Sequence, residues 1–198
     1  MKKEDLFVYA FVAFVGLLCL KIYYESDAYN LKCIISSVDG NRYCVRERQK
    51  LELAADLLAK TTITCKNLVN YMDSKYSDDE RTQRLVNGFD PTNISETLPT
   101  SELTAYTENK GEKIAFCLNR TKNGNKLIDE HTLTFVAIHE LAHVMTKSVG
   151  HGQEFWTNFK YLLEKAEEGD IYKSKNYKND PQSYCGIDIR DNPYYDLV

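Results

Sequence analysis

Histidine is scarce in this chain, and so are proline and glycine. The 198 residues contain four histidines, four prolines and nine glycines. So little proline and glycine excludes collagen-like and low-complexity sequence. Basic residues are not in excess, because 25 lysines and arginines face 29 aspartates and glutamates, which gives a net charge of −4. This balance argues against a protein that binds nucleic acid through an overall positive charge, so nucleic acid is not an expected partner. The sequence still allows a local basic groove.

Cysteine is present, but not in the spacing of a zinc knuckle. None of the six cysteines belongs to a CxxC pair, which argues against a structural zinc site of that kind. No linker rich in proline, glycine or serine divides the chain after residue 32, and aromatic residues are plentiful, with 14 Tyr and 8 Phe. The sequence therefore predicts one ordered domain over residues 33–198 with a single core, and it leaves the oligomeric state open.

The longest apolar run, Leu6–Tyr24, lies near the N-terminus. It is 19 residues long, and Lys21 is its only charged residue. As a helix it reaches roughly 28 Å, close to the thickness of a bilayer's hydrocarbon core. We therefore predict a single-pass membrane protein, with residues 6–24 as the anchor in the lipid bilayer, residues 1–5 as a tail and residues 25–32 as a polar tether.

Two questions about this run stay open from the sequence. A cleaved signal peptide is the alternative to an anchor, since two lysines precede the run and Ser26-Asp27-Ala28 follows it with weak small-residue spacing. Lysines flank both ends of the run, so the positive-inside rule gives no orientation. The remaining cysteines and two possible glycosylation acceptors, Asn93 and Asn119, do not settle the side of the membrane either.

The first half of the domain reads as a hairpin followed by a long helix. Two apolar runs, 33–38 and 41–45, flank Asp39-Gly40, a two-residue hairpin signal. This hairpin would bring Cys33 near Cys44, so a disulfide between them is a possibility. From about Arg46 to Met72 apolar residues recur with helical spacing, which predicts an amphipathic helix that packs on the core.

The middle of the chain is more polar. We expect residues 77–100 to form a loop with one helical turn at most. Next, residues 103–107 and 113–118 read as a second hairpin across a polar turn. A core helix over Thr132–Lys147 follows, with Asp129 or Thr132 as its N-cap.

This core helix carries an HExxH motif, formed by His139, Glu140 and His143. Residues four apart share one face of a helix, so the two imidazoles can bind the same metal ion. In proteins with this motif the two histidines bind zinc, and the glutamate takes a proton from the water that zinc activates. The sequence therefore predicts one zinc ion at this position.

A catalytic zinc site needs a third protein ligand and one open position. The segment Ser148-Val149-Gly150 can end the helix, and a second helix is predicted over Gln153–Glu168. The reversal between the two helices would bring His151 back over the first, so we predict His151 as the third ligand. The alternative is a carboxylate from the second helix, namely Glu154, Glu164 or Glu167. His131, two turns before His139, is not expected to be a ligand.

The segment HELAHVMTKSVGHGQEFW resembles the zinc metallopeptidase families of the WLM and SprT-like group, in which an HExxH helix, a short turn and an H-[GN]-x-x-F-[WY] segment follow one another. YCVRE near residue 43, ADLLAK, GEKIAFCL and YCGIDI near residue 184 are similar to WLM-like metalloproteases of large DNA viruses. The metzincin pattern is not met, because Thr146 and Val149 stand where it needs glycine and histidine. The third histidine makes the glutamate ligand of gluzincins unnecessary.

This resemblance implies an α+β fold: a minimal zincin-like domain with a long N-terminal helix, a small mixed β-sheet and the HExxH helix, preceded by the transmembrane helix. It also implies that an edge strand, which we place at Lys113–Leu118, runs along the substrate cleft. Zinc would be bound by His139, His143 and His151, and Glu140 would act as general base.

The leading hypothesis is accordingly a membrane-anchored zinc-dependent peptidase that acts on a protein or peptide. Tyr106, Tyr184 and Tyr194 are candidates for stabilising the oxyanion. Two alternatives stay open: a non-catalytic membrane protein whose metal site only stabilises the fold, and a protease directed at DNA–protein crosslinks.

Overall fold

A computed structural model describes residues 3–24 and 31–196, and the side chains from residue 6 onward. The described residues form a mixed α+β structure of five α-helices, one short 3-10 helix and seven short strands. Residues 1–2 of the predicted tail and residues 25–30 of the predicted tether lie outside the described residues, whereas residues 3–5 of the tail belong to the first helix.

The first helix, α1, covers Lys3–Tyr24. Its apolar part, Leu6–Tyr24, is long and apolar enough to cross a membrane, and none of it is buried by the rest of the described chain. The large apolar side chains along it are exposed, Phe7 at 75% and Leu17 at 66%, for example. The helix is confirmed, whereas its insertion in a membrane stays a prediction.

The predicted first hairpin is confirmed as β1, Leu31–Ile35, antiparallel to β2, Arg42–Arg46. Cys33 lies opposite Cys44, and the two form a disulfide. The prediction of a two-residue turn is wrong. The last backbone bond, from Ser36 N to Asn41 O at 2.9 Å, leaves four residues in the loop, and the Asp39 carboxylate accepts the Asn41 amide at 3.0 Å within it.

The long amphipathic helix is α2, Leu51–Tyr76, and it begins later than predicted. Arg46 belongs to β2, and its buried guanidinium donates to Thr97 O at 2.7 Å and to Thr97 Oγ1 at 2.8 Å. This part of the chain is therefore held extended beside residues 96–98. The predicted apolar face is buried, with Ala54, Leu58, Cys65, Leu68 and Met72 in the core.

The prediction of a loop over residues 77–100 is wrong, because this segment contains three elements. Helix α3 covers Glu80–Gly88, a 3-10 helix covers Pro91–Asn93, and β3 covers Ile94–Glu96. The carboxylate of Asp79 caps α3 by accepting the Arg81 amide at 2.8 Å, and Leu85 inserts into the core. One buried apolar residue among polar neighbours gives too weak a period to predict the helix.

The main sheet has three strands in the order β3-β5-β4. Strands β4, Ala105–Glu108, and β5, Lys113–Phe116, form the predicted second hairpin, and β3 adds to β5 in parallel. The edge strand predicted at Lys113–Leu118 is therefore wrong, because β5 lies in the centre of the sheet. Among the described strands, β3 and β4 form the two edges of this sheet, and β4 packs beside the HExxH helix.

The HExxH helix, α4, covers Glu130–Met145, and α5 covers Gln153–Glu168 as predicted. The side chain of Asp129 caps α4 by accepting the Thr132 amide at 2.9 Å, as the sequence indicated. Helix α4 packs against α2, α3, α5 and β4. Only parts of it reach solvent, which explains why its sequence is apolar on most sides.

The chain continues into a small hairpin of β6, Gln182–Tyr184, and β7, Ile187–Ile189. A disulfide between Cys117 and Cys185 joins this hairpin to the end of β5. Two backbone bonds support the junction, from Cys185 N to Asn119 O at 2.9 Å and from Gly186 N to Arg120 O at 2.8 Å. The hairpin is thereby fixed against the main sheet.

The two disulfides close loops of different length, with sequence separations of 11 and 68 residues. On chain entropy alone the shorter loop contributes about 3 kcal/mol and the longer one about 4 kcal/mol to the free energy of unfolding. We expect Cys117→Ala/Cys185→Ala to destabilise the full chain more than Cys33→Ala/Cys44→Ala in urea denaturation. Equal losses, or the reverse order, would contradict this expectation.

Candidate metal centre

Three imidazoles meet where α4 reverses into α5. His139 and His143 lie one turn apart on α4, and His151 lies just before α5. The Nε2 atom of His151 is 3.0 Å from Nε2 of His139 and 3.1 Å from Nε2 of His143. The structure thus brings together the three histidines that the sequence singled out as metal ligands.

The reversal that delivers His151 is held by Glu154. Helix α4 ends at Met145, earlier than predicted, and Thr146 caps it. The backbone amides of Lys147 and Ser148 then donate to the Glu154 carboxylate at 3.0 and 3.1 Å, and the Ser148 hydroxyl donates at 2.8 Å. These bonds lower the pKa of Glu154 to about 2.

The C-terminus of α4 is also held from the sides. Arg84 of α3 donates to Met145 O at 2.8 Å. Lys110, in the β4–β5 turn, donates to His143 O at 3.2 Å and to Ser148 O at 2.7 Å. This turn approaches α3 so closely that a Cβ on Gly111 would lie 1.9 Å from Gly88 O. Cations at the carbonyl end of a helix are favourable, and here they fix the HExxH helix in place.

The three histidines fit a metal ion in geometry and in protonation. The nitrogen ligands of a tetrahedral zinc at 2.0–2.1 Å lie about 3.3 Å apart, close to the distances seen from His151. Burial, followed by the charges of the neighbouring imidazoles, lowers the pKa of His139 to about 3. Burial lowers the pKa of His143 to about 4 and also lowers the pKa of His151. At neutral pH all three rings are therefore neutral, the form that binds metals.

Aromatic rings orient two of these imidazoles. The ring of Phe155 stacks on His143 with centroids 4.3 Å apart, and Phe159 lies edge-on to His139 at 5.1 Å. Both phenylalanines are buried on α5. Phe155 thus belongs both to the core and to the surroundings of the candidate centre.

Glu140 lies beside the histidines, buried in α4. Its Oε2 accepts a hydrogen bond from Thr107 Oγ1 of β4 at 2.8 Å. Burial raises the pKa of Glu140 to about 7, although the bond from Thr107 opposes the rise. Thr107 is a residue that sequence reasoning missed, because no local pattern indicates which strand residue faces the helix.

The alternative carboxylate ligands lie elsewhere. Glu154 binds the backbone of the reversal, as described above. Glu164 is exposed about 16 Å along α5 from its start, and Glu167 accepts the Ser174 amide at 3.2 Å. His131, which was not expected to be a ligand, lies 2.8 Å from Lys173 O and beside the Tyr172 ring.

The three tyrosines considered for the oxyanion lie apart from the histidine cluster or are engaged by other groups. The Tyr184 hydroxyl donates to Thr104 O and accepts the Cys117 amide, both at 3.1 Å. Side chains alternate along a strand, so Tyr106 points away from the face on which Thr107 meets Glu140. Tyr194 lies near Glu167 of α5 instead, and desolvation followed by the charge of this carboxylate raises the pKa of Tyr194.

Two cavities flank the histidine cluster. One, of about 380 Å³, is lined largely by apolar residues together with His139, Glu140 and His151. The other, of about 410 Å³, is lined by Thr107, Asn109, Lys110, His143, Val149 and Gly150. The candidate centre therefore lies at the middle of a cleft with one apolar half and one more polar half.

Sequence comparison agrees with this geometry. The WLM domain matches residues 86–193, which is more than half of the chain and includes the three histidines, Glu140 and Thr107. The chain belongs to the WLM domain family, a family of zinc-metallopeptidase type. This finding confirms the resemblance stated from the sequence.

The similar curated proteins come from large DNA viruses. The chain is 35% identical over 96 residues to "Uncharacterized protein R325" of Acanthamoeba polyphaga mimivirus, which covers 48% of each chain. It is 37% identical over 79 residues to "Uncharacterized protein 136R" of Invertebrate iridescent virus 6, 37% of this chain and 44% of that one. The chain thus spans about half the length of the curated relatives it matches. No solved structure matches it significantly.

Proposed function

We propose that this protein is a zinc-dependent peptidase. The observation that carries the proposal is the convergence of three neutral imidazoles, with Nε2 atoms 3.0 and 3.1 Å apart, beside a buried carboxylate in an open cleft. Membership of the WLM family supports it. His139, His143 and His151 would hold the ion, which is the arrangement of a zincin-like site.

The residues of the chain have distinct parts in the proposed reaction. Bound zinc would supply a Lewis acid that polarises the scissile carbonyl and makes water more acidic. Glu140 accepts the proton of the attacking water and passes it to the leaving amine. Thr107 positions the Glu140 carboxylate by its hydrogen bond, and Lys110 and Glu154 keep the two histidine-bearing segments together.

The free edge of β4 is the proposed binding site for the substrate backbone. It runs beside α4, and Thr107 on this strand contacts Glu140. An extended peptide can add to such an edge by backbone hydrogen bonds. The expected partner is therefore a protein or peptide in extended conformation, bound to β4 and not to β5 as the sequence suggested.

The open cleft favours catalysis over a purely structural metal site. Structural zinc sites are closed by four protein ligands. Here His151 is exposed, and two cavities reach the cluster. A protease directed at DNA–protein crosslinks is less well supported, since the chain carries a net charge of −4.

The first test concerns the metal. We expect the full chain to bind one equivalent of zinc and His151→Ala to weaken that binding by about 100-fold or more, since loss of even an outer-shell partner costs 10–100-fold. His131→Ala is the matched control, because His131 lies outside the cluster. Elemental analysis and competition with a chelator measure both quantities. Unchanged affinity in His151→Ala would refute its role as the third ligand.

The second test concerns catalysis. We expect Glu140→Gln to lower kcat for peptide cleavage by about 10²–10⁴-fold, the usual contribution of a general base, while zinc stays bound. Glu164→Gln, an exposed position on α5, is the control for the change of charge. Cleavage is followed by mass spectrometry of a peptide mixture. Peptidase activity that survives Glu140→Gln would overturn the mechanism.

We also propose that α1 anchors the protein in a membrane with the catalytic domain on the oxidising side. The domain holds two disulfides, and disulfides persist mainly in secretory, extracellular and periplasmic compartments. Of the two possible glycosylation acceptors, Asn119 is buried and its side chain accepts from Arg48 at 2.7 Å. Asn93 is the accessible one of the pair, since it is half-buried.

Protease protection tests this orientation. In sealed microsomes that carry the full chain, we expect the domain to resist added protease until detergent opens the vesicles, while alkaline extraction leaves the chain with the membrane. The disulfides are expected to be formed before extraction. Digestion without detergent would contradict the orientation, and release by alkali would contradict the anchor and favour a cleaved signal peptide.

A further inference from the structure

The apolar half of the cleft is a defined cavity with four walls. Helices α4 and α5, the start of β4 and the β6–β7 hairpin enclose about 380 Å³. Its apolar lining includes Phe135, Val136, Trp156, Phe159, Ile187 and Ile189. These side chains come from parts of the chain far apart in sequence, so the cavity is a product of the tertiary fold.

We propose that this cavity is a specificity subsite for one large apolar side chain, leucine or aromatic, of the residue next to the scissile bond. The inference rests on the proposed peptidase function. His139, Glu140 and His151 line the same cavity, so a side chain bound there belongs to a residue at the reacting centre. Its burial against the apolar walls would strengthen binding.

The size and polarity of the cavity fit such an occupant. A cavity of about 150 Å³ is enough to hold benzene, and this one is larger and open on one side. The Tyr184 hydroxyl at its wall is already bonded to Thr104 O. Exposed Asp191 also lines the cavity, and its carboxylate would repel an acidic side chain.

Strand β4 runs past both the cavity and Glu140, so a peptide bound along this strand would reach both. Ala105 and Thr107 lie two residues apart on β4 and so share one face. Ala105 lines the cavity, while Thr107 contacts Glu140. A peptide that follows the edge of β4 therefore passes both the cavity and the candidate general base within a length of two residues.

The outer wall of the cavity is fixed in place. Ile187 and Ile189 lie on β7, which begins two residues after Cys185. The disulfide to Cys117 and the backbone bonds of Cys185 and Gly186 tie this hairpin to the segment after β5. The subsite is consequently preformed. This favours binding, because the hairpin loses little conformational entropy when a side chain enters the cavity.

Peptide cleavage by the full chain in nanodiscs tests the subsite. In a peptide series varied at the two positions beside the scissile bond, we expect kcat/KM at one position to be about 10–100-fold higher for leucine and phenylalanine than for alanine or aspartate. Ile187→Ser should reduce this ratio several-fold, and Ala105→Leu, which fills the cavity, should shift the preference toward alanine. Ile35→Ser is the matched control, since Ile35 is 73% exposed on β1.

A binding measurement separates the subsite from the proposed catalysis. Trp156 is the only tryptophan of the chain and lines the cavity, so its fluorescence reports occupancy. We expect N-acetyl-phenylalanine amide to produce a saturable change that N-acetyl-alanine amide does not produce, and Ile187→Ser to weaken it. If no peptide is cleaved but this change occurs, the peptidase proposal fails, whereas the cavity is still a binding site for a large apolar side chain. Cleavage without side-chain preference, or no saturable change, overturns the subsite.

Discussion

The reversal of the chain between α4 and α5 is the constraint on which the candidate site depends. A helix leaves its last carbonyls and the following amides without helical partners. Here Thr146 ends α4, the Glu154 carboxylate takes the amides of Lys147 and Ser148, and Lys110 donates to His143 O and Ser148 O. The turn is thereby short and fixed, and His151 returns to within 3.0–3.1 Å of the imidazoles on α4. Without this arrangement, HExxH would supply two ligands and no third.

The position of α4 in the core sets the chemical state of the site. Burial keeps His139 and His143 neutral and raises the pKa of Glu140. Buried polar groups are unfavourable unless they have partners, and the structure gives Glu140 one partner in Thr107. The imidazole nitrogens face one another across a space that suits a cation. The same burial that makes α4 a core helix therefore leaves its imidazoles neutral and raises the pKa of its carboxyl group, the states that the proposed reaction requires.

Local signals predicted the elements that carry the three histidines proposed as ligands. The HExxH helix, the Asp129 cap, the limits of α5 and the Cys33–Cys44 pairing all follow from residues close in sequence. The features that were predicted wrongly or missed depend on contacts between residues far apart in sequence. Strand β3 consists of three residues and exists because it pairs in parallel with β5, which moves β5 from the edge to the centre of the sheet. The contact of Thr107 with Glu140 and the Cys117–Cys185 disulfide join residues 33 and 68 positions apart, which no local period can indicate.

The cleft combines elements of very different sequence character. The motif supplies the polar centre, β4 supplies the edge proposed for the peptide backbone, and the β6–β7 hairpin supplies an apolar wall that the Cys117–Cys185 disulfide fixes. The WLM match spans all three, from residue 86 to residue 193. Helix α2 and the β1–β2 hairpin precede the matched span, yet α2 packs against α4 and carries much of the core. The family segment therefore holds the candidate metal centre and both walls of the cleft, whereas the preceding elements support the helix that carries two of the three proposed ligands.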